Sequence, residues 1–432
     1  MSFGLAVSLG ELRGAAAALT ALRGPAELLE RRALRGVREM VRFAGDRVPY
    51  YAGPAYARPV ESFADLARLP VIDKRAVLSA GADRFHLPGL PPRGYRVDRT
   101  SGTTGQVLEV RHDVAAYGYH GATVFRRFLW SGYRPWWRIA HIKPFPRPRR
   151  WFQRLGLFPR VVVGSDQRDG DVLRQVLDVR PGLIMGYPIM LRALLRAASP
   201  QQMARLRRTL RMIMTDSELL TADTRAALAA GFGVPVYDEY SAYEVLTIAV
   251  QCPAAAMHVD QDRVWVEIVD DDGAVLPPGV PGSVVVTHYR ERAMPLVRYR
   301  VGDRAALEAG ECPCGVRTAR MRLTEGRSDD RVTLPDGRRV YTGTFLWAAG
   351  YTPGVAESMV RQDAAGRITV HLVLDPGCPD DFAAVAADYL RRLTGRVGAP
   401  MDVRFERCHR VEIGPGGKGR FLSSAYRGSE PA

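Results

Sequence analysis

Five short stretches of the chain carry residue types that could handle a nucleotide and a carboxylic acid. Residues 99–106 read RTSGTTGQ. Thr100, Ser101, Thr103 and Thr104 offer hydroxyls, and Gly102 and Gly105 let backbone N–H groups approach a phosphate with no Cβ in the way. The lysine that ends the common phosphate loop is missing, and the same composition also suits a plain surface turn. Residues 238–244, DEYSAYE, follow a strand-like VPVY. Glu244 could ligate Mg²⁺, which takes one or two carboxylates plus phosphate oxygens. Tyr240 could stack on a planar ring; the alternative is a polar loop. In MPLVRYRVGDRA, Asp303 sits at a Gly-Asp turn where it could accept both hydroxyls of a ribose, or simply close a strand. In EGRSDDRV, Arg327 could reach phosphate or ribose, with Asp329 serving as a hinge, or the stretch could be a linker salt bridge. In GPGGKGRFL, Lys418 stands in a glycine-rich loop. Lysine is a compact point charge on a thin stem, suited to delivery at a reacting centre. The placement is unusual because the chain has only three lysines, Lys74, Lys143 and Lys418, among 61 basic residues.

A sixth set points to metal. Five cysteines are few for 432 residues, and they suit a reducing cytoplasm, where clustered cysteines favour metal over disulfide. CPAAAMH supplies Cys252 and His258, and CPCG supplies Cys312 and Cys314. Three thiolates and an imidazole suit tetrahedral zinc in a structural role, since all four positions are filled. Reduced, half-buried cysteines are the alternative. Cys378 and Cys408 read as small core or loop residues.

The elements that must position these residues alternate in type. Hydrophobic content of 47% and charged content of 25% are those of a globular protein with a large core, and the length calls for at least two domains. Residues 1–60 read as helical and amphipathic, packed on the core or lying on a membrane surface, with no signal peptide and no bilayer-spanning run. From about residue 60 to 325, VVVGSDQRDGDVLRQVLDV, LIMGYPIMLRALLRAA and LRMIMTDSELLTADTRAALAAGFGVPVYDEY repeat strand, turn, helix. That pattern predicts an α/β sheet with ligands at the strand C-terminal ends. VWVEIVDDDGAVLPPGVPGSVVVTHYR predicts a strand, an Asp-Gly turn and a strand, hence a β-rich subdomain. RSDDRVTLPDGRRVY predicts a hairpin, RITVHLVLD a strand and DDFAAVAADYLRRLTGRV a helix, so a small α+β domain closes the chain. The net charge of +15 comes almost wholly from dispersed arginine. The densest basic run, KPFPRPRRWFQR from Lys143, reads as a solvated proline-rich loop, and no nucleic-acid motif accompanies it.

Taken together and in this order, the stretches resemble the adenylate-forming superfamily, and most closely the phenylacetate–coenzyme A ligase family with its capsule-synthesis-type relatives. The resemblance spans roughly residue 45 to the end. It implies a large N-terminal adenylation domain, residues 1–327, of layered α/β build with a β-rich subdomain, and a mobile C-terminal domain, residues 328–432. It implies ATP bound by the TSGTTG loop, by Ser217 and Glu218 beside the adenine, by Asp238, Glu239 and Tyr240, and by Asp303 on the ribose. Mg²⁺ falls to Glu244, phosphate or ribose contact to Arg327, the hinge to Asp329 and the adenylation lysine to Lys418. The missing positive charge of the loop is then supplied by Lys418 and Mg²⁺. A carboxylate, already nucleophilic at pH 7, would form an acyl-adenylate, and coenzyme A, a carrier-protein thiol or an amine would accept the acyl group. Some family members carry a structural zinc resembling the Cys252, His258, Cys312, Cys314 set. An acyl pocket for an aromatic acid is expected from Tyr119, Phe125, Gly186, Tyr187, Tyr240 and Tyr243, in a cytoplasmic monomer or homodimer. Two departures stand out: Ser241 and Tyr243 occupy places where the family has Gly and Ser/Thr.

Overall fold

The computed structural model describes residues 16–99, 108–143, 150–164, 169–217, 220, 222–325, 331–334, 338–363, 367–374, 378, 381–409 and 422–424, with residues 7, 10 and 14. Helix α1 (Ala26–Arg47) has Glu27 in its first turn and Arg47 in its last, the arrangement the helix dipole favours. Its Val37, Val41 and Ala44 lie in the main core, so its apolar stripe is spent on the protein itself.

Strand β1 (Ile72–Asp73) is short. Strands β2 (Tyr95–Arg99) and β3 (Glu109–Asp113) pair antiparallel, with Arg99 opposite Glu109, and flank the phosphate-loop stretch. Helix α2 (Val114–Trp130) starts at Asp113, whose carboxylate accepts the Ala116 N–H at 2.7 Å, a capping bond that satisfies an otherwise orphan donor.

The expected α/β alternation follows. Strands β4 (Ile139–Lys143), β5 (Arg160–Gly164), β6 (Leu183–Gly186), β7 (Met212–Asp216) and β8 (Val236–Ala242) run parallel. Between them lie α3 (Asp169–Val179), α4 (Pro188–Ala197), α5 (Pro200–Arg207) and α6 (Ala222–Phe232). The antiparallel half comprises β9 (Leu246–Gln251), β10 (Met257–Val259), β11 (Val264–Val269), β12 (Gly282–His288), β13 (Tyr299–Glu308) and β14 (Arg320–Glu325). Across one sheet the order is β11-β12-β13-β14-β10-β9-β8-β7-β6-β4-β5, and β1 pairs parallel with β13. Strand β8 therefore joins the two halves.

The expected Asp-Gly turn exists, but it does not lead straight into the partner strand. Gly273 takes the left-handed conformation (φ 87°), and the returning chain makes only an isolated bridge, Val269 to Val275. Pro277, Pro278 and Pro281 supply no N–H donors, so the partner of β11 begins at Gly282.

In the parallel half, period-2 alternation sorts side chains onto two faces. Ala140, Ile142, Ile184 and Ile213 pack in one cluster with Leu191 and Phe232. Ile139, Leu183, Met185, Met212 and Met214 pack on the other with Phe128 of α2. Residues after the sheet form β15 (Arg331–Thr333), β16 (Arg339–Tyr341), α7 (Thr342–Tyr351), β17 (Val355–Gln362), β18 (Ile368–Leu374), α8 (Phe382–Val397), β19 (Val403–Arg407) and β20 (Leu422–Ser424). They share a cluster of Val332, Phe345, Val360, Val370 and Tyr389 that draws on residues from Val332 onward.

Candidate functional site

Polar side chains of the C-terminal part of β8 and the turn after it meet those of the first half of β13. Tyr240 on β8 donates its hydroxyl to Asp303 Oδ2 of β13 at 2.9 Å. Tyr299, also on β13, donates to Glu244 Oε1 at 3.0 Å. Of the residues singled out in the sequence, Tyr240 thus meets Asp303, while Glu244, in the turn after β8, meets Tyr299 on the same strand as Asp303. Ser241 and Tyr243 flank them; Tyr243 is exposed. A bulge between Tyr240 and Ser241 shifts the β8–β9 register just before the turn that carries Glu244.

That turn is anchored from below by a pair the sequence did not single out. His112 on β3 meets the Tyr243 carbonyl through Nε2 at 2.9 Å and Glu291 Oε2 through Nδ1 at 3.1 Å. Glu291 Oε1 accepts the backbone N–H groups of Asp113 and Ala293, both at 2.9 Å. Both side chains are essentially solvent-free. Burial lifts the Glu291 carboxyl to about 7, against the opposing pull of His112. The carbonyl only accepts, so Nε2 must be a donor, and one proton is held between Nδ1 and Glu291. Nothing local marks this pair, because its members lie 179 residues apart.

A second unforeseen pair lies on the α2-facing side of the parallel half. Continuing the alternation, Ile139 is followed on its face by His141 and Lys143, and Met212 and Met214 are followed by Asp216. The face is apolar at its base and charged at its C-terminal end. Lys143 Nζ donates to Asp216 Oδ1 at 2.5 Å and to Ser217 Oγ at 3.3 Å. It lies 4.1 Å from the centroid of the Tyr187 ring. Asp216 is held down at about 2: burial opposes this, and the Lys143 charge, with help from His141 and Ser217, overrides it. Ser217 adopts φ 68°, a left-handed conformation uncommon outside glycine, which turns its hydroxyl back onto Asp216 Oδ1 at 3.0 Å. Lys143 is 7% exposed, so the reading of its run as a solvated loop is corrected at its first residue. That residue ends a buried strand.

Four further residues have partners the sequence did not indicate. Asp238, expected at ATP, is buried: its carboxyl accepts from Thr215 at 2.5 Å, and burial lifts it to about 7. Glu239, assigned likewise, pairs with Arg127 and accepts from Thr247 at 2.6 Å. Both acids satisfy interior partners because β8 is central and covered on both faces. Tyr119 and Phe125 were expected to line one acyl pocket. Six residues apart on α2, they point about 120° apart. Tyr119 donates to Asp262 at 2.7 Å under the Arg290 guanidinium, while Phe125 packs on Phe152 and Phe158. Gly186 and Tyr187 do reach the strand ends, beside Lys143.

Residues 100–105, Glu218, Arg327, Asp329 and Lys418 lie outside the described residues.

The Cys/His set converges elsewhere, at the ends of β9, β10 and the β13–β14 connection. The ligand atoms of Cys252, His258, Cys312 and Cys314 lie within 4.8 Å of one another. Cys252 and Cys312 sulfurs are 3.7 Å apart, and Cys314 Sγ is 3.4 Å from His258 Nε2. Tetrahedral bonds of about 2.3 Å would separate two sulfurs by about 3.8 Å, so the set fits zinc. His258 Nδ1 meets Thr318 Oγ1 at 3.2 Å, the outer-shell bond that fixes which ring nitrogen faces the sulfurs. Gly315 (φ 83°) closes the Cys312 turn through its N–H to the Cys312 carbonyl at 3.1 Å. Among the described residues, no helix is long and apolar enough to cross a membrane.

No family model matches the chain. A phenylacetate–coenzyme A ligase of Thermus thermophilus is 29% identical over 345 residues, covering 71% of this chain and 73% of that protein. One of Aromatoleum evansii is 27% identical over 319 residues, covering 68% and 69%. Among solved structures, a 2-hydroxyisobutyryl-CoA ligase in complex with 2-HIB-AMP and CoA, in the thioesterification state, matches with a TM-score of 0.64 and 18% identity, over 93% of this chain and 91% of that one. At that identity the likeness shows the fold.

Proposed function

We infer that this chain, which belongs to the phenylacetate–coenzyme A ligase family of the adenylate-forming enzymes, is an AMP-forming acid–thiol ligase. It activates a carboxylic acid with ATP and passes the acyl group to coenzyme A. The observation that carries this reading is the pairing of the sequence motifs across the sheet, Tyr240 with Asp303 and Glu244 with Tyr299.

In the first half-reaction a carboxylate oxygen of the acid attacks the α-phosphorus of ATP and pyrophosphate departs. In the second, the coenzyme A thiol attacks the acyl carbon and AMP departs. Asp303 is proposed to accept the ribose hydroxyls, with Tyr240 holding its carboxylate in place. Glu244 would help hold Mg²⁺, which takes one or two carboxylates plus phosphate oxygens, and the Tyr299 hydroxyl on its Oε1 fixes the carboxylate. When bound there, Mg²⁺ would neutralise charge on the phosphates. His112 and Glu291 hold the backbone beside Glu244. Residues 100–105, Ser217 and Glu218 are proposed to cradle the phosphates and adenine, and Arg327 and Lys418 to meet the phosphates and the developing charge. A boundary near residue 327, with Asp329 as hinge, would let Lys418 withdraw before thioester formation. The Cys252, His258, Cys312, Cys314 set would hold zinc, tying the β13–β14 connection to β9 and β10.

The test is pyrophosphate release with ATP, Mg²⁺ and a panel of aryl and arylacetic acids, with and without coenzyme A. Release accelerated by coenzyme A is expected. Release indifferent to coenzyme A would move the acceptor to an amine or carrier-protein thiol. ATP binding without release would refute the ligase.

A further inference from the structure

The Lys143–Asp216 pair has a donor–acceptor balance that identifies what it faces. Lys143 commits two ammonium protons, to Asp216 Oδ1 and Ser217 Oγ, and turns its charge on the Tyr187 ring. Asp216 uses the same Oδ1 for both Lys143 and Ser217. Its Oδ2 has His141 Nε2 at 3.9 Å, beyond hydrogen-bond length, and accepts no hydrogen bond among the described residues. An ammonium only donates and an ionised carboxylate only accepts. A group that completes both must accept from one and donate to the other, and a hydroxyl does so. A wholly apolar acid would leave both unfilled while the fold carried the desolvation cost of burying two charges.

The surroundings point to the rest of the ligand. Tyr187 borders the ammonium, its ring centroid 4.1 Å from Nζ. A ring surface beside the pair suits an aromatic body. We propose that Lys143 and Asp216 form the specificity subsite for a hydroxyl on the acid substrate, making hydroxylated aromatic carboxylic acids the substrate class. The proposal rests on the ligase reading given above.

The experiment compares matched acids, 4-hydroxyphenylacetate with phenylacetate and 3-hydroxybenzoate with benzoate, in pyrophosphate release by wild type, Lys143→Met and Asp216→Asn. A site built around a substrate hydroxyl discriminates strongly against the analogue lacking it, so the wild-type kcat/KM ratio in the better pair should be about 100-fold or more. In both variants it should fall to within about threefold, through KM of the hydroxylated acid more than through kcat. Asp216→Asn preserves shape and answers the question if Lys143→Met fails to fold. A wild-type ratio near one in both pairs, or equal loss for both members of a pair in Asp216→Asn, would overturn the proposal and leave the ligase intact. Calorimetric titration of the same acids separates the two readings. Binding of a hydroxylated acid that Asp216→Asn abolishes, with no pyrophosphate released, would support the subsite and refute the ligase.

Discussion

The Cys/His cluster and the strand-end site each gather residues from distant parts of the chain, yet they are built on opposite plans. In the cluster every ligand atom faces the other three, and the second nitrogen of His258 is tied to Thr318. Such a set is complete once a cation is in the middle, and it has nothing to offer a substrate. In the strand-end site the polar groups pair laterally, Lys143 with Asp216 above one apolar face, and Tyr240 with Asp303 and Tyr299 with Glu244 where β8 nears β13. Closed polar sets stabilise, whereas laterally paired sets hold one another's orientation and leave donor and acceptor capacity for a ligand.

Four substitutions test this contrast, and the expected effects descend. Asp216→Ala strands a buried ammonium and should cost about 3–5 kcal/mol in urea unfolding, the penalty of an unpaired buried charge. Glu244→Ala should lower pyrophosphate release about 10²–10³-fold, with metal content and unfolding midpoint unchanged. If the metal were lost with it, the two regions would not be independent. Cys312→Ser should do the reverse: zinc analysis should fall below the wild-type stoichiometry and thermal stability should drop, while coenzyme A-dependent release measured in the cold survives. Wild-type protein without zinc would remove that half of the comparison. His112→Ala removes the ring from the Tyr243 carbonyl and from Glu291 Oε2. It should cost about 2–3 kcal/mol and raise the Mg²⁺ concentration needed for half-maximal release, whereas a purely structural role would leave that concentration unmoved.

The smallest effect is a pH dependence. Asp216 titrates at about 2 in the fold, below its ordinary 3.8, so its share of stability is complete above about pH 4. It should drain as pH falls toward 2, by on the order of 2 kcal/mol. Asp216→Asn should flatten that part of the stability profile.

Much of this architecture was legible because its signals are local. Apolar runs followed by glycine and a helical period marked β5, β6 and their helices, and a β-rich run marked β11 and β12. The metal set could be read from residue type alone, since cysteine and histidine have few competing uses at that density. For a related reason the interior partners of Asp238 and Glu239 were not legible. Their types suit a nucleotide, but type says nothing about which way a residue faces once its strand is covered on both sides.

The sequence by itself determined the element types and picked out the four Cys/His residues that the fold brings within 4.8 Å of one another. These depend on periodicity, turn chemistry and residue type over windows of a few residues. Only the tertiary structure decided that Lys143 meets Asp216 across 73 residues, or that His112 and Glu291 share a proton beneath Tyr243. The physical reason is the order of the sheet. Placing β6 between β4 and β7 puts Lys143 and Asp216 on one face at one end, and no short-range rule fixes which strands become neighbours.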